Sequence, residues 1–271
     1  MYISLSSNFS CMLWAIIWDI IGSGYEKYNI THEDFDLFYA NSAFSDDTVL
    51  TVAVADALMN NKDLVATLQE YTRNYPNRGY GTNYFEWVQK GQTWPYNSFG
   101  NGSAMRVSPV GWMFNSLEDT LERAKKTAEV THNHPDAIKG AQAIASAIFL
   151  ARTGKSKEEI KRYIEDTFGY ELDFDYYEFK KTYEFDSTCN GTVPQAIVCF
   201  LISKGYEDAI RKAVALGGDS DTIACMAWSI AEAFYKEIPL YIIENARTYF
   251  DDKIRTIVDT FREKYVLPKL V

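Results

Sequence analysis

Apolar residues recur at helical spacing along most of this chain, and almost no segment alternates with the period of two that is typical of a strand. Polar and glycine-bearing segments such as YPNRGYG, ARTGKS and LGGDSD separate these runs, as turns separate helices. The pattern predicts an all-α fold, with helices over Asp47–Leu58, Asp63–Arg73, Leu117–Val130, Pro135–Arg152, Lys157–Phe168, Val193–Ser203, Glu207–Leu216, Asp221–Tyr235 and Ile242–Lys264. Only Tyr170–Asp186, which is rich in aromatic residues, is interpreted as a short strand or an extended loop.

The composition favours a single compact, many-helix domain. A chain of 271 residues that is 47% hydrophobic can bury a large core, and no Pro/Gly/Ser-rich linker divides it. The formal net charge of -10 disfavours binding to nucleic acid or to anionic membranes, because their phosphates would be repelled. A substrate that carries phosphate would then require metal ions.

The N-terminal segment and the cysteines indicate the cellular compartment in which the protein is expected. The apolar stretch from Cys11 to Ile21 is too short to span a bilayer and is interrupted by Asp19. A signal peptide begins with a basic segment, but residues 1–10 contain no Lys or Arg. The four cysteines form no CxxC pair and show no zinc-ligand spacing. We therefore expect a cytoplasmic protein with no membrane partner.

Two short acidic clusters, SDDT at 45–48 and DSDT at 219–222, each precede an Ala-rich helical run. Side chains of this kind are common helix N-caps, so each cluster by itself is explained by capping. Their duplication favours a second interpretation, in which two helix N-termini face one ion. Oxygen ligands alone indicate Mg²⁺ or Mn²⁺, with Ca²⁺ as an alternative, rather than zinc.

Three further segments are candidates for ligand contact. The turn Gly100–Ser103 precedes a short helix and offers N–H groups to a phosphate, although it is not a P-loop. In THNHP (131–135), Asn133 or His134 is expected to cap a helix that begins at Pro135, and substrate contact is favoured over metal binding. Glu26 follows the first apolar helix and is either an exposed surface residue or the general base of a hydrolase.

Five segments in this order resemble the ADP-ribosylglycohydrolase family: DIIGSGYE (19–26), FSDDTVLT (44–51), SFGNGSAMRVSPVGW (98–112), THNHPDAIKGAQA (131–143) and GGDSDTIACMA (217–227). The resemblance implies an all-helical domain over 12–271 with a central binuclear site for two divalent cations, Mg²⁺ or Mn²⁺. It also implies residues 1–11 as an N-terminal extension, with Met12 as the native start. Members of this family hydrolyse the bond between the distal ribose of ADP-ribose and a modified side chain.

The resemblance also assigns roles to residues. It implies metal ligation by Ser45, Asp46, Asp47, Asp219, Asp221 and Thr222, where Ser45 replaces the usual Thr and keeps the hydroxyl. It implies proton transfer by Glu26 or by a ligand aspartate, Asp46 or Asp221. Contact with the ribose and diphosphate is implied for Phe99, Gly100, Asn101, Gly102, Ser103 and His132.

Three tryptophans stand where the family pattern has glycine, namely Trp14, Trp18 and Trp228. An indole in place of a glycine is expected to overpack a helix interface. The expected function is removal of ADP-ribose from a protein or a small acceptor. The alternative is a non-catalytic member of the fold that binds ADP-ribose or has a structural role.

Overall fold

The structure is a computed structural model that describes residues 14–25, 29–39, 42–236 and 239–269. Within these ranges the secondary structure is helical, and the one β-type contact is an isolated antiparallel bridge between Gly100 and Thr188. The all-α prediction is therefore confirmed. The helices are α1 Trp14–Ser23, α2 Asp46–Met59, α3 Leu64–Asn74, α4 Thr82–Gln89, α5 Gly102–Met105, α6 Ser108–Met113, α7 Leu117–Glu129, α8 Pro135–Arg152, α9 Lys157–Phe168, α10 Tyr176–Phe179, α11 Cys189–Ile202, α12 Tyr206–Leu216, α13 Ser220–Tyr235, α14 Leu240–Arg247 and α15 Asp252–Phe261.

Helix α13 forms the centre of the core. It packs against α1, α8, α11 and α12, and every residue from Ser220 to Ala233 is buried. A helix that is buried on all sides needs small or apolar residues around most of its circumference, and the sequence SDTIACMAWSIAEA supplies them apart from Asp221 and Glu232. The first turn of α13, which carries the second acidic cluster, is thereby held inside the protein.

Trp228 lies in the middle of this central helix and is fully buried. Its indole N–H donates to the Tyr206 hydroxyl at 2.9 Å, and the two ring centroids are 3.5 Å apart. Ordinary aromatic pairs have centroids 4.5–7 Å apart. The indole is therefore tightly packed, as the sequence led us to expect. The side chains of Trp14 and Trp18 lie outside the described part of the chain.

Local capping explains several helix boundaries. His134 caps α8, where its Nδ1 accepts from the Asp136 N–H at 3.2 Å, and Pro135 is the first helical residue. Ser156 and Glu159 form a capping box at the start of α9, which ends at Gly169 in the left-handed conformation, with φ of 66°. The choice between Asn133 and His134 as the cap of α8 is thus decided for His134.

The prediction of one long helix over Ile242–Lys264 is wrong. The structure divides this region into α14 and α15, followed by a π-helical turn at Arg262–Val266. Asp251 breaks the helix because its carboxylate accepts from the Ile254 N–H at 2.9 Å and starts α15 afresh. The segment Tyr170–Asp186 contains the short helix α10 and no strand.

No helix in the described ranges combines the length and the apolar character needed to cross a membrane. The cysteines at 189, 199 and 225 are buried free thiols.

Candidate functional site

The two acidic clusters lie side by side in the fold. Helix α2 begins at Asp46 and α13 begins at Ser220, so each cluster forms a helix N-terminus. The Thr222 hydroxyl donates to Asp47 Oδ2 at 3.3 Å, across a sequence separation of 175 residues. Asp47, Asp219, Asp221 and Thr222 are all buried. The structure thus brings together residues that the sequence places far apart.

Ser45 acts as the N-cap of α2. Its Oγ accepts from the Asp47 N–H at 3.1 Å and donates to Asp47 Oδ2 at 3.4 Å. The capping interpretation therefore holds for this residue. It does not account for Asp47, whose Oδ1 is buried without a hydrogen-bond partner among the described residues.

Asp219 occupies the N-cap position of α13, but its side chain makes no capping hydrogen bond. Its Oδ2 instead accepts from the Asn101 side-chain amide at 2.7 Å. Gly217 and Gly218 precede it with φ of 82° and 69°, and a Cβ on Gly218 would lie 2.5 Å from the Tyr183 ring. Only glycine fits there, because the turn needs a positive φ and leaves no room for a side chain.

Asp19 is a buried member of this site that the sequence analysis missed. Its Oδ2 accepts from the Ser45 and Thr48 N–H groups at 2.6 and 3.1 Å and from the Thr48 hydroxyl at 2.5 Å. Its Oδ1 is buried and has no partner in the described part of the chain. Asp19, which lies on α1, thus holds the first turn of α2 in position through its carboxylate. The signal in the sequence was a single carboxylate within an otherwise apolar helix.

Burial makes these carboxyl groups difficult to ionise without a counter-charge. Burial raises the pKa of Asp19 to about 6, although hydrogen bonds from Ser45 and Thr48 oppose the shift. Burial raises the pKa of Asp47 well above its usual value, and the charges of Asp19, Asp46 and Asp219 raise it further. Burial also raises the pKa of Asp219. No salt bridge between described residues reaches Asp19, Asp47 or Asp219.

The glycine-bearing turn at 98–102 lies beside the second cluster. The Gly100 N–H donates to Ser98 Oγ at 3.1 Å, and the Asn101 N–H donates to the Ser187 carbonyl at 2.8 Å. These two groups are therefore engaged within the protein and are not those through which the turn would meet a ligand. Asn101 instead links the turn to Asp219 through its side chain.

A cavity of about 400 Å³ opens between the acidic clusters and this turn. Nine of the residues singled out from the sequence line it: Asp46, Asp47, Gly100, Asn101, Gly102, His132, Asp219, Asp221 and Thr222. The volume lies within the ordinary range of small-molecule sites. The clusters, the turn and His132 thus form one continuous surface.

Other predicted residues lie outside the cavity lining. The Ser103 hydroxyl donates to the Ala137 carbonyl at 2.9 Å and points into the packing with α8. Phe99 is 54% exposed, and its ring meets the edge of His134 with centroids 5.8 Å apart. Ser45 lies behind Asp47 as a cap. Glu26 lies outside the described residues.

The cavity also contains residues that no motif indicated by itself. Tyr84, Tyr96, Arg106 and Phe185 line it, and the Phe185 ring is 62% exposed. Arg106 stands within the quoted segment at 98–112, and Phe185 lies in the aromatic-rich segment 170–186. Tyr84 lies in a segment without a recognisable pattern. Tertiary packing alone brings these residues to the cavity.

The chemistry of the clustered side chains fits a hard divalent cation. The donors are carboxylates and hydroxyls, and the buried Asp47 Oδ1 is available as a ligand. Among the described residues, however, no three His, Cys, Asp or Glu side chains are grouped as they would be around a bound ion. Binding would therefore require carboxylates to rotate towards the ion.

A sequence model of the ADP-ribosylglycohydrolase family matches residues 10–269. The chain belongs to the ADP-ribosylglycohydrolase family. Its similarity to this family therefore extends over the clusters, the glycine-bearing turn and His132 together, and it agrees with the resemblance seen in the sequence motifs.

The chain is also similar to individual proteins. It is 26% identical to "ADP-ribosylhydrolase ARH3" of Mus musculus, over 86% of this chain and 84% of the relative. It is 27% identical to "ADP-ribosylarginine hydrolase Tri1" of Pseudomonas putida, over 55% of this chain and 43% of that protein. A solved structure, "ADP-ribosylglycohydrolase-related protein complex", superposes with a TM-score of 0.72 at 19% identity, over 92% of this chain and 94% of the other. The last comparison shows a shared fold.

Proposed function

We propose that this protein is a metal-dependent hydrolase that cleaves the glycosidic bond between ADP-ribose and a modified protein side chain or small acceptor. The observation that carries the proposal is the meeting of two acidic helix N-termini at the Thr222–Asp47 contact, beside a cavity. Membership of the family, and the names of its ADP-ribosylhydrolase relatives, support the substrate class.

The residues proposed to hold two divalent cations are Asp46, Asp47, Asp219, Asp221 and Thr222, with Ser45 adjacent. Bound Mg²⁺ or Mn²⁺ would supply positive charge that binds the distal ribose hydroxyls and polarises a water or the sugar. The Asn101 side chain holds Asp219 in place through its 2.7 Å hydrogen bond. Asp19 holds the first turn of α2 in the same way.

The opposite side of the cavity is proposed to hold the rest of the nucleotide. The exposed Phe185 ring at the cavity offers a flat apolar surface on which a base can stack. His132 lines the cavity beside the glycine-bearing turn and is proposed to contact a phosphate or ribose oxygen there. Phe99, which is exposed near His134, is proposed to contact the ligand from outside the cavity.

Proton transfer in this scheme belongs to Glu26 or to a ligand aspartate. A carboxylate close to the scissile bond acts as general acid or base in most glycosidic hydrolyses. If Glu26 has this role, Glu26→Gln should abolish most turnover while leaving metal binding intact. Near-normal turnover in that variant would assign the role elsewhere.

A pair of aspartate variants separates this proposal from simple helix capping. Asp221→Ala removes a cavity-lining carboxylate at the start of α13, whereas Asp63→Ala removes the N-cap of α3, which accepts from the Ala66 N–H at 2.8 Å. Asp221 lies in the first turn of α13, after the N-cap residue Asp219. A role confined to the helix N-terminus therefore predicts a loss of about 0.3–1 kcal/mol of stability for Asp221→Ala and of about 1 kcal/mol for Asp63→Ala, with activity kept in both. The proposed function predicts that only Asp221→Ala loses release of ADP-ribose from a modified peptide.

A further inference from the structure

A buried chain of hydrogen bonds from Arg106 through Thr131, here called the relay, reaches the His132 ring. Arg106 Nη2 donates to the Thr131 hydroxyl oxygen at 2.8 Å, and that oxygen lies 2.7 Å from His132 Nδ1. Arg106 and Thr131 are fully buried, and His132 is 5% exposed. The relay therefore runs from the protein interior to a ring that lines the cavity.

The chemistry of these groups sets the direction of the relay. A guanidinium has donors only, so Thr131 must accept from Arg106. The Thr131 hydroxyl has one proton of its own, and His132 Nδ1 is the acceptor that the described residues offer it. A buried hydroxyl proton without an acceptor would cost about 1–3 kcal/mol. Donation from the Thr131 hydroxyl to His132 Nδ1 avoids this cost.

We infer that Arg106, acting through the Thr131 hydroxyl, holds the His132 ring in the tautomer that carries its proton on Nε2, so that a donor faces the Gly100–Gly102 turn. A Cβ built on Gly102 would lie 3.1 Å from His132 Nε2, and one built on Gly100 would lie 3.7 Å from it. Nε2 is thus the nitrogen that lies against the turn. In this arrangement Arg106 and Thr131 are positioning residues, and His132 donates to the ligand.

The surroundings of Arg106 support this assignment. Its two hydrogen bonds go to the Thr127 carbonyl, in the last turn of α7, and to the hydroxyl of Thr131, which directly precedes His132. Its Nε and Nη1 are buried and have no partner among the described residues. Burial lowers the pKa of His132 well below its usual value, and the Arg106 charge lowers it further. The imidazole is therefore neutral, with one donor and one acceptor.

The relay selects the class of ligand group at the turn. A neutral ring with its proton on Nε2 favours an oxygen that accepts, such as a phosphate or a sugar oxygen, and disfavours an N–H or ammonium donor. That this oxygen belongs to ADP-ribose rests on the proposed function. The tautomer itself does not depend on it.

Nitrogen-15 NMR of the free protein tests the tautomer directly. The chain has three histidines, and His132→Gln identifies the signals of His132 by their loss. Long-range ¹H–¹⁵N correlations should show a protonated Nε2 and an unprotonated Nδ1 at neutral pH. A ring that is protonated on Nδ1 would overturn the inference, whether or not ADP-ribose binds.

Conservative variants separate positioning from folding. Thr131→Val removes the hydroxyl and should shift the Nδ1 resonance and weaken ADP-ribose binding about fivefold, the loss of one ordinary hydrogen bond. Thr131→Ser keeps the hydroxyl and should restore both. Thr127→Val is the matched control, because the Thr127 hydroxyl donates to the Ala124 carbonyl at 2.9 Å and is outside the relay.

Titration calorimetry with ADP-ribose distinguishes a failure of the proposed function from a failure of the Arg106–Thr131–His132 relay. Absence of binding to the wild type, with the Nε2 tautomer present, would contradict the proposed function and leave the relay standing. Normal binding by Thr131→Val, or equal losses in Thr131→Val and Thr127→Val, would contradict the relay.

Discussion

Replacement of Gly22 by alanine tests whether the close crossing of α1 over the start of α13 builds the site. A Cβ on residue 22 would lie 2.5 Å from Asp221 Cα and 3.1 Å from Asp221 N. Both are backbone atoms, so no side-chain rotation relieves the clash. Carbon atoms in contact are ordinarily about 3.5–4.0 Å apart, so the two helices would have to separate by about 1 Å.

Two opposing effects set the expected change in stability. Alanine in a helix is favoured over glycine by about 0.5–1 kcal/mol, whereas overpacking of a tight core costs about 1–3 kcal/mol. Gly22 lies within α1, which packs closely on α13, so the clash should dominate. We expect Gly22→Ala to lower the free energy of unfolding by about 1–2 kcal/mol in a urea titration.

Activity should fall more steeply than stability in this variant. A displacement of about 1 Å at a catalytic group reduces the rate by about 100-fold, and the displaced residue is Asp221, which we propose as a metal ligand. Gly205→Ala is the control, because Gly205 has an extended backbone and a Cβ there would contact nothing within 4 Å. The reasoning is refuted if Gly22→Ala unfolds at the same or higher urea concentration than the wild type and keeps its rate of ADP-ribose release.

Three further outcomes are expected. Asp19→Asn should keep the fold and weaken Mg²⁺ binding about 10- to 100-fold in calorimetry, because Asp19 orients the helix that carries Asp47; unchanged affinity would remove Asp19 from the site. Lys157→Met should lower the free energy of unfolding by about 1–3 kcal/mol without changing activity, because the ammonium donates to carbonyls at the end of α11. Lys155→Met is the control: it removes one partner of an exposed ion pair and should change the free energy of unfolding little. Mg²⁺ at about 100 times its Kd should stabilise the wild type by about 2.7 kcal/mol in thermal denaturation, and the same gain in Asp221→Ala would argue against ligation there.

The helices that the sequence predicted well are those with local start and stop signals. The cap and proline of α8 and the capping box and Gly169 of α9 make their boundaries readable from neighbouring residues. The break between α14 and α15 carried no glycine or proline. It depends on one hydrogen bond of Asp251, which competes with helix continuation and cannot be read from periodicity.

The residues of the candidate site likewise divide into those that the sequence indicated and those that it did not. Residues in contiguous motifs, such as Asp46–Asp47 and Asp219–Thr222, were indicated by the sequence, and the structure brings them together. Asp19, Tyr84 and Arg106 were missed because their roles arise from tertiary packing. Both interpretations of the first cluster apply, since Ser45 caps α2 while Asp47 keeps a buried oxygen that has no partner among the described residues.

We propose that the two acidic helix N-termini form one metal-dependent site for ADP-ribosyl hydrolysis. The most direct measurement is release of free ADP-ribose from Arg-linked and Ser-linked ADP-ribosyl peptides, with Mg²⁺ or Mn²⁺ and after chelation with EDTA. We expect release from at least one peptide, its loss with EDTA and its recovery when metal is returned. Release that persists in EDTA would contradict the metal dependence, and binding of ADP-ribose without any release would identify a non-catalytic member of the fold.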